Sequence, residues 1–314
     1  MPRGGSWRQS RQEPPVQTWD RRTIWMCGRK RDIMKTYSAV LLDIDGTLVD
    51  SNMRVSANAK RLLNRLEKRG IPIVLCSARA PSGVELVERQ TGLNSPIVCF
   101  GGSLILDEKR SILEDRGIER ESAVRFKQFV SDAFPGITVC SYLYDVWLVD
   151  DLSDANIRLL MERNPTSTAI VGSLEAALRA ESHAHKLMCI GPAQTIRAIQ
   201  AAARQKFPDL EFARSGSIFL EVLCKGASKL TAMERIQDYY SVGPERIVAI
   251  GDYYVDIDMI RNAGLGIAMG NAPEEVKQAA KRVTTSCEED GVYLALKSLR
   301  FTPPGAEQPD LTGT

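Results

Sequence analysis

The sequence predicts an α/β protein: a Rossmann-like, doubly wound parallel sheet into which a smaller α+β domain is inserted. Three observations carry that expectation. Short, continuously apolar runs alternate with helical stretches, the pattern of parallel strands covered on both faces. Several of these runs end in acidic or hydroxyl residues, and open sheets of this kind bind ligands beyond the carboxyl ends of their strands. The middle of the chain has a different grammar, mixing helices with short alternating strands.

Ser38–Asp45 reads as a buried strand that ends in acid. Ser56 is placed to cap a helix with Ala59, Leu62, Leu63 and Leu66 at helical spacing, and Gly70 to end it. Ile71–Cys76 and Pro96–Phe100 are the next apolar strands; Arg246–Gly251 and Gly264–Met269 repeat the pattern much later. Residues 37–107 and 222–300 therefore form the two parts of the core. Residues 108–221 form the inserted, lid-like cap, with helices near 120–134 and 194–207 and strands at Val146–Val149 and Lys186–Ile190. Residues 1–36 and 301–314 read as disordered tails. The first contains Pro14-Pro15, three of the four tryptophans and no sustained period. The second is rich in proline and glycine.

The net charge is +2, but residues 1–36 hold nine basic and three acidic residues, a net of +6 that leaves −4 for the rest. A mildly acidic body offers no broad face to a nucleic-acid backbone. No apolar run approaches the roughly 20 residues that a bilayer demands. Seven scattered cysteines without a C-x-x-C pair point to buried free thiols in a reducing compartment, and a cytoplasmic location is expected. With only His183 and His185 present, a Ser-His-Asp triad and a His-rich zinc site are both disfavoured.

Four signals carry chemistry. Asp43-Ile44-Asp45-Gly46-Thr47 follows the first strand, and its two carboxylates share one face if the segment is extended. Gly251-Asp252-Tyr253-Tyr254-Val255-Asp256 follows another strand and brings two more acids to the same edge if the strands are neighbours. Several carboxylates on one rim need a hard cation, and an all-oxygen ligand set suits Mg²⁺. Ser77 closes the Ile71–Cys76 strand, where a hydroxyl and loop amides can hold a phosphate oxygen. Lys225-Gly226-Ala227-Ser228-Lys229 leads into a helix, so a lysine there can neutralise a carboxylate and a phosphoryl oxygen together.

In this order, the four motifs resemble those of the haloacid dehalogenase superfamily of aspartate phosphohydrolases, in its Cof-type branch with a C2B cap. The resemblance spans about 38–300 and includes Ala263–Val276 and Glu289–Val292. It implies that Asp43 is the nucleophile and Asp45 the general acid and base. It selects Lys229 over Lys225 as the catalytic lysine, which also binds phosphate with Ser77. Mg²⁺ is held by Asp43, Asp252 and Asp45, the last through its backbone carbonyl, with Asp256 orienting the shell from outside. The implied activity is Mg²⁺-dependent hydrolysis of a small phosphorylated metabolite, a sugar phosphate first of all. A phosphomutase or phosphotransferase, and a non-catalytic phospholigand-binding protein, are the alternatives. Neither nucleic acid nor membrane is an expected partner, and the sequence assigns no oligomeric state. Tyr142, Tyr144 and Trp147 are candidates for contacts in the cap. The family's Thr-Gly-Arg is Ser77-Ala78-Arg79 here, its Asn-Gly is Gly101-Gly102, the Gly after the motif lysine is Leu230, and the Asn before the last acid is Val255. The last change predicts a weakened metal site, unless Tyr253, Tyr254 or water supplies the missing orientation.

Overall fold

The computed structural model describes residues 35–163, 168–178 and 183–306. Its core is an eight-stranded sheet. In spatial order the strands are Arg282–Val283, Leu265–Ala268, Ile247–Gly251, Ala39–Asp43, Ile73–Cys76, Ile97–Cys99, Leu104–Leu106 and Ile112–Asp115. The first six run parallel; Leu104–Leu106 runs antiparallel to them, and Ile112–Asp115 antiparallel to Leu104–Leu106 in turn. Ala39–Asp43 is central and wholly buried because every side chain on it faces a helix layer. One face packs Val40, Leu42, Leu63 and Leu75; the other packs Leu41, Val74, Ala249 and Met233. The helix Ala57–Lys68 begins as expected, with the Ser56 hydroxyl accepting from the Ala59 amide.

The cap is a second sheet of six strands, ordered Ala169–Val171, Val146–Val149, Thr138–Leu143, Lys186–Ile190, Phe219–Cys224 and Leu210–Ala213. Helices Arg120–Ala133 and Ala193–Lys206 bury Phe126, Val130, Ile196 and Ile199 against one face, with Leu187, Leu220 and Val222 from the sheet. Beside the second motif, two polar contacts join the cap to the core. Lys186 Nζ donates to the Ala78 carbonyl at 2.6 Å, and Asp145 Oδ1 accepts from the Ser82 amide at 2.9 Å.

Three expected boundaries move. Ile112–Asp115 lies inside the expected 108–221 insertion, yet it pairs with Leu104–Leu106 and so extends the core sheet. Phe219–Cys224 continues the cap sheet past 221, through pairing with Lys186–Ile190. At the ends, Thr36–Tyr37 and Arg300–Phe301 form a two-stranded parallel ladder, with the Tyr37 and Phe301 rings buried 6.2 Å apart. Thr36 and residues 301–306 thus belong to the folded body rather than to tails, because those two rings complete the apolar layer under the first helix. Residues 1–34 and 307–314 of the expected tails lie outside the described residues. Among the described residues, no helix is long and apolar enough to cross a membrane.

Candidate active site

The carboxyl ends of Ala39–Asp43 and Ile247–Gly251 are adjacent because these strands pair in register, Leu42 with Ile250. That pairing puts Asp43 beside Asp252. The lysine comes from below the rim. Helix Lys229–Tyr240 is capped reciprocally: Ser228 Oγ accepts from the Thr231 amide and Thr231 Oγ1 accepts from the Ser228 amide, both at 3.1 Å. Lys229 is therefore its first residue, held against the sheet. A Cβ on Gly102 would lie 2.3 Å from the Ser228 carbonyl oxygen, and its φ is +117°, so only glycine lets the two segments touch.

Lys229 Nζ donates to Asp43 Oδ1 at 2.5 Å and to Asp256 Oδ1 at 2.6 Å. Asp256 Oδ2 accepts from the amides of Asp252 and Tyr253 at 3.1 and 3.0 Å, which fixes the loop. All four groups are buried: Lys229 is 2% exposed, Asp256 0%, Asp43 7% and Asp252 9%. Burial pushes the Asp43 carboxyl well above its ordinary value; Lys229 opposes this, while Asp256 and Asp252 add to it. Burial, with the charge of Asp256, raises Asp252 to about 6. Burial alone would lower Lys229, but Asp256 and Asp43 outweigh it and hold the ammonium above its usual range.

One lysine thus faces three carboxylates whose oxygens come within 4.8 Å of one another. The excess negative charge and the all-oxygen donors fit a hard divalent cation. Gly46 lets the Asp252 carboxylate pack this close: with φ +79°, a Cβ there would fall 2.4 Å from Asp252 Oδ2.

Asp45 is not part of this carboxylate cluster. Its half-exposed side chain turns to Arg79, which donates from Nε at 2.9 Å and from Nη2 at 2.5 Å. Ser77 is buried at the end of its strand, next to the register pair Asp43–Cys76, and its Oγ accepts from the Arg79 amide at 3.2 Å. Lys225 is exposed. Tyr142 and Trp147 stack on each other 6.2 Å apart, and Lys186 lies over the Tyr142 ring; neither tyrosine nor tryptophan lines the cleft, because they fill space between sheet and helix. Tyr144 sits at a hairpin tip with φ +54° and is 40% exposed.

Two residues unassigned in the sequence orient Asp252. Thr47 Oγ1 donates to its Oδ1 at 2.9 Å. Asn271 Nδ2 donates to its Oδ2 at 3.2 Å and to the Gly46 carbonyl at 2.8 Å, while Asn271 Oδ1 accepts from the Cys287 amide at 3.1 Å. Asn271 and Thr47 thus orient Asp252, while Tyr253 contributes its backbone amide to Asp256. Gly270-Asn271-Ala272 was legible as motif text, but only the fold brings it to Asp252.

A second cluster stands apart: His183 and His185 Nε2 lie 2.8 and 3.1 Å from Asp115 Oδ1. His185 Nδ1 accepts from the Tyr144 amide at 2.9 Å. A metal on Nε2 would leave that ring without a proton, so the disfavoured zinc site stays disfavoured. Between cap and core a cleft of about 510 Å³ opens onto Lys229 and Val255, with Glu221, Arg204 and Arg214 on its cap side.

The sequence pattern described as haloacid dehalogenase-like hydrolase matches residues 40–296. A Haemophilus influenzae protein named provisionally as a phosphatase is 36% identical over 261 residues, covering 83% of this chain and 97% of its own. The 5-amino-6-(5-phospho-D-ribitylamino)uracil phosphatase YitU of Bacillus subtilis is 28% identical, with 82% and 96% covered. Among solved structures, BT1666 of Bacteroides thetaiotaomicron, described among phosphatases of the haloalkanoate superfamily, superposes with a TM-score of 0.73 at 26% identity, covering 83% of this chain and 94% of that one.

Proposed function

The chain belongs to the haloacid dehalogenase-like hydrolases, in their Cof-type branch of phosphatases, and from that premise we propose that it hydrolyses a small organic phosphate, a sugar or polyol phosphate, with Mg²⁺ as cofactor and Asp43 as nucleophile. One observation carries the reading: a buried ammonium bridges Asp43 and Asp256 with Asp252 alongside. A carboxylate can approach a phosphoryl group only where positive charge offsets the repulsion, and Lys229 supplies it at 2.5 Å from Asp43.

Asp43, Asp252 and the backbone carbonyl of Asp45 would hold the cation. Bound there, Mg²⁺ offsets charge on the phosphoryl oxygens. An Asp43 oxygen attacks phosphorus, the bond from phosphorus to the alkoxide oxygen breaks, and Asp45 gives that oxygen its proton. Asp45 then takes a proton from water, whose oxygen attacks phosphorus and frees both Asp43 and inorganic phosphate. Ser77 and nearby amides hold phosphoryl oxygens. Asp256 keeps Lys229 in place, and Asn271 and Thr47 orient Asp252. The polyol preference is in keeping with the polar cap side of the cleft and with the phosphoribityl compound named for YitU.

The test is phosphate release from a panel of phosphorylated metabolites, in Mg²⁺ and in excess EDTA, for wild type and Asp43→Asn. Release should require the cation and fall by at least about 10³-fold in the variant. Product analysis separates free phosphate from an isomerised or transferred phosphoryl group. Full activity of Asp43→Asn, or in chelator, would refute the proposal.

A further inference from the structure

The cap side of the cleft carries a cation that the chemistry at Asp43 does not use. Arg214 follows the edge strand Leu210–Ala213 and lines the cleft that also contains Lys229. It is half-buried, yet among the described residues it makes no hydrogen bond or ion pair. Its guanidinium donors are unclaimed by the protein at the wall of the cleft, and their planar fork matches a carboxylate or phosphate.

Its neighbours do not neutralise it. Glu221 is paired with Lys186 at 3.7 Å. Asp258, on the core side, is paired with Arg261 at 3.5 Å. Glu211 is exposed and within salt-bridge distance of no described cation. Arg204 adds a second positive charge, engaged only by the Phe212 carbonyl at 3.4 Å, which Gln200 also reaches at 3.0 Å. The cap edge therefore shows two guanidinium groups with donors to spare. A cleft of about 510 Å³ accommodates a molecule the size of a phosphorylated six-carbon chain.

We infer that Arg214 is a specificity-determining residue that binds a second anionic group of the substrate, a carboxylate or a further phosphate, at the end remote from the phosphoryl group being removed. The inference rests on the phosphatase reading above. It narrows the substrate class from sugar phosphates in general to phosphorylated sugar acids or bisphosphates.

The experiment compares wild type, Arg214→Gln and Arg214→Lys on two matched pairs: sorbitol 6-phosphate against 6-phosphogluconate, and fructose 6-phosphate against fructose 1,6-bisphosphate. The ratio of kcat/KM within a pair does not depend on the fraction of correctly folded enzyme. p-Nitrophenyl phosphate, without a distal anion, reports the phosphatase chemistry of the wild type by itself. Wild type should favour the anionic member of one pair by about 10-fold or more, as a charge-assisted hydrogen bond of this kind provides. The ratio should fall towards one in Arg214→Gln and be partly kept in Arg214→Lys. Preference within the first pair identifies a carboxylate, and within the second a phosphate. If wild type cleaves p-nitrophenyl phosphate but treats both members of each pair alike, or if Arg214→Gln keeps the preference, the anion subsite is overturned and the phosphatase reading stands. If wild type with Mg²⁺ releases phosphate from none of these compounds, the phosphatase reading falls and takes this inference with it.

Discussion

Replacing Asp252 by Asn should stabilise the metal-free protein at pH 8 while removing its activity. Folded, the buried Asp252 carboxyl titrates at about 6 rather than 3.8, mainly through desolvation. Between those values the folded chain keeps a proton that the unfolded chain has lost. Stability therefore falls as pH rises through this window and stays lowered above it. About two pH units at 1.36 kcal/mol each put the cost at about 3 kcal/mol. Asn carries no charge and escapes that cost. It can still accept from Thr47, but its NH₂ would face the NH₂ of Asn271 and lose the 3.2 Å bond. A hydrogen bond lost in this way costs about 1 kcal/mol. The net expectation is a gain of about 2 kcal/mol at pH 8, and near equality at about pH 4.5, where only about 1 kcal/mol of the wild-type cost has developed. Urea unfolding of both proteins in EDTA at the two pH values measures the difference, and added Mg²⁺ should stabilise wild type alone. An Asn variant no more stable than wild type at pH 8 in EDTA would refute the view of this rim as a store of uncompensated negative charge.

Lys229→Met leaves Asp43 and Asp256 buried without their shared cation; urea unfolding at pH 8 should show a loss of about 3–5 kcal/mol, because breaking a buried pair strands a charge. The loss should ease in acid as the raised Asp43 carboxyl takes up a proton, and a variant as stable as wild type at pH 8 would contradict the pairing. Asn271→Ala should raise the Mg²⁺ concentration for half-maximal activity by about 10–100-fold, whereas Val255→Asn should shift it by no more than about twofold, since Asp252 lacks no partner. A Mg²⁺ titration in which Val255→Asn responds at much lower concentration would restore Val255 as the weak point.

The order of strands and helices was legible because the inner core strands are uninterrupted apolar runs ending at a residue type that turns or ligates. Asp43, Ser77 and Asp252 stand at such ends and Lys229 opens a helix, and for that reason their convergence could be anticipated. The cap edges were not legible in the same way. Ile112–Asp115 is half-exposed and carries acids, so its membership in the core sheet depends on pairing with Leu104–Leu106, and pairing leaves no mark in local periodicity. Phe301 shows the same limit: a lone aromatic near prolines reads as a tail until Tyr37 is found against it. Asn271 lies 19 residues from Asp252 on a different loop, and Asp45 could be assigned a role but not its partner Arg79. Arg214 has no motif at all; it becomes visible only as a half-buried cation without a partner, which only a fold can define.

The central claim is that Asp43 becomes phosphorylated, and chemical trapping tests it most directly. Asp45→Asn slows the second step by removing the base that activates water, while p-nitrophenyl phosphate needs no proton for its leaving group. Acid quench of this variant with substrate and Mg²⁺ should yield one hydroxylamine-sensitive acyl phosphate on the peptide containing Asp43, and none when Asp43→Asn is added to the same variant. Phosphate on another residue, or its continued appearance in the double variant, would contradict the account.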